Sequence, residues 1–371
     1  MKILFLTKRI YTGKDLLADR YGRMYELPVA LRGAGYDLQV ACLSYHPVPD
    51  PARDPGGGVT WRYWYTGSLR LPGIIRHATR LARIVREYRP DVIVGASDAI
   101  HVILAYRLAR RFHLPLIIDL YDNFEGFSLT RLPGVSSLFR RAVRAADGVS
   151  VVSRPLHDLI ARTCGGAGTI MVIENAVPAR MFAPGNREVS RQSLGLPVEG
   201  CIIGTAGALY RSRGVETLYE AFRRLCARMP NLHLALAGSI EARARPPHAA
   251  NVHYLGNLSY ETVPVFLNAL DVGVICVRPD PFGLYSFPQK AYEMVASGTP
   301  MVAARVGALV LLLENWPEIL YEPGDPDSLV KAITLQIERP IRPALTVPDW
   351  AAQGCRFEDL IRAAVASFRA R

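Results

Sequence analysis

Paired cysteines are missing from this chain. Its six cysteines (Cys42, Cys164, Cys201, Cys226, Cys276 and Cys355) are scattered over 371 residues with no CxxC spacing. That argues against a disulfide scaffold and a structural zinc site, and it fits a reducing compartment. Long apolar runs are also missing. The nearest, PMVAARVGALVLLL (300–313), is cut by Arg305 and falls short of the roughly 18 residues of a membrane span. The start, MKILFLTKR, offers a run of only four apolar residues, Ile3 to Leu6, before Lys8 and Arg9, too few for a signal peptide, so a cytoplasmic location is expected. Metal-ligand spacing is absent too. Five of the eight histidines sit alone, and Asp325-Pro326-Asp327 reads as the cap of a following helix, not as a cation-binding DxD. No metal and no cofactor are therefore expected.

Lysine is scarce, with five beside 39 arginines, yet the net charge is +11. Nearly all of it lies in one half. Residues 1–180 carry +10 and residues 181–371 carry +1. Arginine-rich codon usage would spread evenly. A one-sided basic field suits an anionic partner, either a membrane surface or an acidic substrate. No nucleic-acid-binding module is present, so nucleic acid is not an expected partner.

Hydrophobic residues make up 50% of the chain, enough for a sizeable core, and the length suits two domains. Short apolar, β-rich runs alternate with amphipathic stretches throughout. The first half has strand candidates at 2–7, 37–43, 59–65, 91–95, 115–119, 148–152 and 169–174. The second has them at 201–206, 232–237, 252–255, 272–276, 300–303 and 318–321. This alternation predicts α/β architecture with two doubly wound, mostly parallel sheets. Residues 178–196 lack a clear period and read as a linker, and 350–368 reads as a closing helix. In such sheets ligands bind beyond the carboxyl ends of the strands, so the loops there are where chemistry is expected.

Four segments carry it. In SFPQKAYEMVASGTPMVAARVG (286–307), Pro288 opens a helix that places Lys290 and Glu293 three apart on one face near its N-terminus. A lysine there suits phosphate, and a carboxylate suits vicinal ribose hydroxyls; a solvated Lys–Glu contact is the plainer alternative. In LIIDLYDNFEGF (116–127), Asp122 and Glu125 follow a strand. They can accept hydrogen bonds from a ligand's hydroxyls or stabilise positive charge, or they can merely cap a turn. GASDAIHV (95–102) offers Asp98 and His101, the latter read as a helix-face residue. The basic loop 7–23 offers Lys8, Arg9 and Lys14 to an anionic ligand, or is simply a charged surface loop.

Segment 286–307 resembles the signature of glycosyltransferase family 4, retaining nucleotide-sugar transferases of the GT-B fold. IENAVPARMFAPG (173–185), IIGTAGALYRSRGVETLYEAF (202–222), LHLALAG (232–238), VHYLGNLSYETVPVFLNALDVGVI (252–275) and LYEPGDPDSLVKAI (320–333) follow that family's order. The resemblance implies two Rossmann-like domains facing across a cleft. Residues 1–180, completed by the helix at about 350–371, form the acceptor side, and residues 181–349 bind the nucleotide sugar. It implies a hexosyltransferase-like enzyme of glycan, polysaccharide or glycolipid synthesis. The donor is a nucleotide-diphosphate sugar and the acceptor a sugar or a lipid-linked sugar. Glu293 matches the family's ribose ligand. The family's other acidic position falls on Tyr285, leaving the backbone N–H groups of Ser286 and Phe287 to hold the donor. In the loop Gly207-Ala208-Leu209-Tyr210-Arg211-Ser212-Arg213-Gly214, Ala208 stands where the family has arginine. Arg213 matches the family's lysine, and Arg211 can replace the missing charge. Arg213 and Lys290 are then the clamp on the diphosphate. The family's histidine in the 116–127 loop matches Tyr121. These departures keep open a catalytically inactive nucleotide-sugar-binding protein; the shared fold keeps open a sugar-nucleotide epimerase or phosphorylase. The segment LRLPGIIRHATRLARIVREY (69–88), with Arg140, Arg141 and Arg144, makes a basic surface on the first half. It suits peripheral attachment to the inner face of an anionic cell membrane.

Overall fold

The alternating apolar runs become two parallel sheets, each in its own compact unit. The computed structural model describes residues 1–371 except 12, 52–53, 69, 127–129, 131, 167 and 179. Leu69, the first residue of the basic segment, thus lies outside the described residues. One unit comprises residues 1–175 and 350–371, the other residues 176–349.

In the first unit the strands are β1 (Lys2–Lys8), β2 (Ile10–Tyr11), β3 (Lys14–Asp15), β4 (Asp37–Ser44), β5 (Thr60–Tyr65), β6 (Val92–Ala96), β7 (Leu116–Leu120), β8 (Gly148–Val151) and β9 (Thr169–Val172). Seven of them form one parallel sheet in the order β5-β4-β1-β6-β7-β8-β9, and β2–β3 is a separate antiparallel hairpin. β1, β6 and β7 read as continuous apolar runs because helices cover both faces, and Ile3 to Leu6 are fully buried. The helix Trp350–Arg369 closes one face. Phe357 packs near Phe5, with ring centroids 6.4 Å apart, and Gly354 lets the helix close on Ala30, whose methyl would lie 2.6 Å from an added Cβ.

The second unit adds β10 (Cys201–Ala206), β11 (Leu232–Ala237), β12 (Val252–Tyr254), β13 (Val272–Ile275), β14 (Met301–Ala304) and β15 (Leu320–Tyr321). They form a parallel sheet in the order β12-β11-β10-β13-β14-β15. Its core gathers Ile203, Leu234, Val272 and Val302 from the sheet with Leu218, Phe222, Leu329 and Ile333 from two covering helices. Strand order reverses between β1 and β6 in one unit and between β10 and β13 in the other. Such switch points leave a crevice beyond the strand ends, so each unit has one natural place for a ligand.

Two expectations need correction. Residues 178–196 are not simply a linker, because they contain the helix Arg187–Ser193, capped by Asn186, whose side chain accepts the Val189 N–H. Pro288 lies just ahead of its helix, which runs Lys290–Ala296 with Gln289 as the cap residue. Asp325 does cap its helix, accepting the N–H groups of Asp327 and Ser328.

The helix Arg70–Tyr88 buries His77 beside Trp64 and His101, with ring centroids 5.5 and 6.0 Å away. Burial, then the nearby charges of His101 and Arg80, push the His77 pKa down to about 3. The ring is therefore neutral when folded and gains a proton on unfolding below about pH 6.5. Stability contributed this way is present above that pH and lost as pH falls toward 3, with a slope near 1.4 kcal/mol per pH unit. Asp98, beside His101, keeps its charge to about pH 2, so its own contribution is lost only at the lower end. A His77→Leu variant is expected to flatten the stability profile between pH 6 and 4. Urea titrations at several pH values measure this, and an unchanged slope would contradict it.

Candidate functional site

At the switch point of the second unit, β10 ends and the chain turns at Gly207, whose φ of +125° suits glycine. The Gly207 N–H donates to Ala237 O at 2.8 Å. The next strand ends at Gly238, where an added Cβ would lie 1.8 Å from Gly207 O, so two bare backbones touch. Above them reaches the side chain of Lys290, from the first position of its helix. A Cβ on Gly207 would lie 2.6 Å from Lys290 Nζ. A glycine there lets an ammonium approach the backbone at the mouth of the sheet.

Burial lowers the Lys290 pKa; the Glu293 charge opposes this, and the Arg213 charge adds to it. Arg213 is thus near enough to be felt by Lys290. Burial also raises the Glu293 pKa, against the pull of Lys290 and a hydrogen bond from Gln289 Nε2 at 3.2 Å. A cation and a carboxylate one helical turn apart are both largely removed from water. Arg213 lies in the short 3₁₀ turn Arg211–Arg213, and its Cζ sits 3.4 Å from the centroid of the Phe282 ring. The site therefore gathers Gly207, Arg213, Lys290 and Glu293.

Other expected members are placed differently. Arg211 is half exposed and pairs with Glu216 at 3.1 Å, in the first turn of the helix that follows. That partner takes up the charge expected to replace the missing arginine. The Ser286 N–H donates to Phe282 O at 2.9 Å, closing the helix Pro281–Tyr285, so it is engaged within the chain. Phe287 is buried with its ring against Tyr292, centroids 4.8 Å apart. Arg278 escaped the sequence reading. It follows β13, and its Cγ would lie 3.1 Å from a Cβ on Gly214. Its position just past a central strand end was the signal available.

The first unit has its own polar cluster at the β1/β6 switch point. Lys8 ends β1, and its Nζ donates to Tyr121 Oη at 3.0 Å. Burial lowers the Lys8 pKa against the charges of Asp98 and Asp122. Asp122 is buried, and one of its oxygens accepts the Asn123 N–H at 2.7 Å. Asp98 caps the helix Ala99–Phe112. It accepts from the His101 N–H at 3.0 Å and from Tyr45 Oη at 2.9 Å, and lies 2.8 Å from His101 Nδ1. His101 is thus a buried partner of a cap. Glu125 is drawn away from the cluster: its carboxylate accepts from Arg140 Nε at 2.8 Å and from Ser136 Oγ. Arg9 is also spent, in a pair with Asp15 at 2.8 Å. Lys8, Tyr121 and Asp122 remain together, with Asp98 beside them.

Two doubly wound parallel sheets, each with a polar cluster at its switch point, define the GT-B class of fold. Solved structures share it. A sucrose-phosphate synthase from Thermosynechococcus elongatus is 19% identical, with a TM-score of 0.79 over 99% of both chains. The Anabaena protein HepE in complex with UDP is 20% identical, with a TM-score of 0.71 over 99% of this chain and 97% of that one. The model of the glycosyl transferase 4-like domain matches residues 23–176, and that of the glycosyl transferases group 1 matches residues 200–338. The chain belongs to this glycosyltransferase family.

Among curated relatives, the D-inositol 3-phosphate glycosyltransferase of Thermobifida fusca is 23% identical over 361 residues, covering 84% of this chain and 78% of that protein. The enzyme of the same name from Corynebacterium diphtheriae is 28% identical over 197 residues, 48% of this chain. The match spans 45% of the length of that relative, and 59% of the one from Corynebacterium efficiens.

Proposed function

We propose that this protein is a retaining glycosyltransferase that moves a sugar from a nucleotide-diphosphate sugar to an acceptor. The observation that carries this reading is Lys290 Nζ poised over the bare Gly207 backbone, with Arg213 close by and Glu293 one turn away. Two cations and a glycine turn suit a diphosphate, and the carboxylate suits the ribose hydroxyls. Solved neighbours described as complexes with UDP and with UDP-glucose support the same ligand class.

As the bond from the anomeric carbon to the diphosphate oxygen breaks, charge grows on the leaving group, and Arg213 and Lys290 stabilise it. The acceptor oxygen bonds to the same face of the carbon, and its proton passes to a phosphate oxygen. No carboxylate is assigned as a nucleophile, so a front-side displacement fits better than two inversions. Asp122, with Lys8 and Tyr121, orients sugar or acceptor hydroxyls. The two cations supply the charge that a metal supplies elsewhere, so no metal is required.

Thermal-shift screening against UDP, GDP, ADP and their sugars tests the ligand class, since binding raises stability by mass action. Glu293→Ala is expected to weaken nucleoside diphosphate binding by roughly 1.5–3 kcal/mol in calorimetry, the worth of hydrogen bonds to a charged acceptor. Unchanged affinity would remove Glu293 from the site. Turnover of donor only in the presence of acceptor separates a transferase from an epimerase, a phosphorylase or an inactive binder.

The acceptor is a sugar, and we take it to be carried by a lipid at the cytoplasmic face of a membrane. Among the described residues no helix is long and apolar enough to cross one. The helix Arg70–Tyr88, however, does not bury its whole apolar stripe. Leu71 is 69% and Ile75 58% exposed, beside exposed Arg76, Arg80 and Arg83. Apolar side chains flanked by arginines suit an anionic interface, where each basic residue contributes about 1 kcal/mol. The protein is expected to co-sediment with phosphatidylglycerol vesicles and to leave them as salt rises. Equal, negligible binding to anionic and neutral vesicles would point to a soluble acceptor.

A further inference from the structure

We propose that Phe282 is a positioning residue for Arg213, holding its guanidinium flat at the diphosphate site through ring stacking. The inference rests on the reading of Arg213 as a diphosphate ligand. Arginine has a long side chain with many rotamers, and at a turn it would ordinarily sample several of them. Here Arg213 Cζ is 3.4 Å from the Phe282 ring centroid, which is van der Waals contact of the planar group on the face of the ring.

The backbone that carries the ring is held. Phe282 belongs to the short helix Pro281–Tyr285, whose cap, Asp280, accepts the Gly283 N–H at 2.8 Å. Gly283 is pressed so close that a Cβ there would lie 2.0 Å from Arg278 O. On its other side, Gly307 approaches so closely that a Cβ would lie 2.6 Å from Gly283 O and 2.7 Å from Leu284 O. The turn that carries Arg213 is held as well. It ends at Gly214 in the left-handed region, with φ +79°, and the Arg278 side chain lies against that glycine.

Segment 278–285, with Pro279, Pro281 and the closely packed Gly283, thus forms a rigid seat for the cation. A guanidinium already in place stabilises leaving-group charge without reorganising when the bond breaks. A mobile one would still attract the bound diphosphate in the ground state. The signature of the seat is therefore in kcat.

The test uses the full chain and the nucleotide sugar that turns over in the screen, beginning with UDP-glucose and GDP-mannose. Phe282→Leu is expected to lower kcat roughly tenfold, the scale of a desolvated cation–π contact, with the donor KM within about twofold of the unaltered protein. Phe282→Tyr keeps a ring face and is expected to retain kcat within about twofold. In an Arg213→Ala background, Phe282→Leu should bring no further loss, because the ring then has nothing to hold. Unaltered kcat in Phe282→Leu, with Arg213→Ala impaired, overturns the seat and leaves the diphosphate site standing. An equal loss from Phe282→Leu in both backgrounds, or a loss in Phe282→Tyr as deep as in Phe282→Leu, also overturns it. An unimpaired Arg213→Ala overturns the diphosphate reading and this inference together.

Discussion

Replacing Lys290 by alanine is expected to lower kcat by roughly 100- to 1,000-fold, the cost of removing one preorganised charge from a developing anion. The donor KM should change far less, because the interaction strengthens as the bond breaks. Lys290 is poised for this role by desolvation, which lowers its pKa, and by Gly207, whose bare backbone lets the ammonium come down over the loop. The same closeness predicts that Lys290→Arg does not restore activity. The space above Gly207 accepts a compact ammonium, and a guanidinium there would have to displace the turn. Arg213→Ala should show the same pattern as Lys290→Ala. Steady-state kinetics with a saturating acceptor decides the matter. A change confined to KM would make these residues ground-state binders and defeat the proposed displacement.

The second large effect concerns stability. Arg23 and Asp119 form an ion pair at 2.7 Å with both side chains fully out of water. Arg23 Nη1 also donates to Ile173 O at 2.6 Å, and Ser150 Oγ donates to the Asp119 carboxylate. The network ties the start of the helix Arg23–Gly33 to β7, β8 and the chain just past β9. Arg23→Ala leaves the carboxylate buried and unpaired, which costs about 3–5 kcal/mol. In a unit of this size that lowers the melting temperature by roughly 10 °C. Arg23→Met with Asp119→Leu removes both charges and should cost clearly less. Calorimetry on the three proteins checks this. A melting temperature within about 2 °C of the parent for Arg23→Ala would show the pair to be dispensable. Asp119 lies two residues before Tyr121, so loosening it should also blur the Lys8–Tyr121 contact.

Much of this was legible in the sequence, and the exceptions share a cause. The strands could be read because buried parallel strands are continuous apolar runs bounded by turns. Lys290, Glu293 and Gly207 could be read because a cap, a spacing and a glycine at a strand end are local signals. The helix Arg187–Ser193 could not. It is two turns long, and its Val189 is 61% exposed. It is held by Arg191, which bonds Ala269 O at 3.0 Å and Asp271 at 2.6 Å, so polar anchors replace the apolar period. The helix Arg154–Thr163, by contrast, carries local signals, with Ser153 as cap and Pro155 in its first turn. The diversion of Arg211 to Glu216 and of Glu125 to Arg140, like the stacking of Arg213 on Phe282, depends on which residues the fold brings together. The separation of 69 positions in sequence between Arg213 and Phe282 hides that contact from any local pattern.

The path of the chain has a consequence for synthesis. Residues 176–349 form a unit that can close as soon as they emerge, because every strand and covering helix of its core lies within them. The unit that begins the chain is made first and finished later. Until Phe357, Leu360 and Ile361 arrive, one face of its sheet stays open to water at Phe5 and Gly148. Folding on the ribosome therefore runs out of sequence order. The nascent chain exposes apolar strands for the whole time needed to make the second unit, the interval in which a chaperone has most to protect.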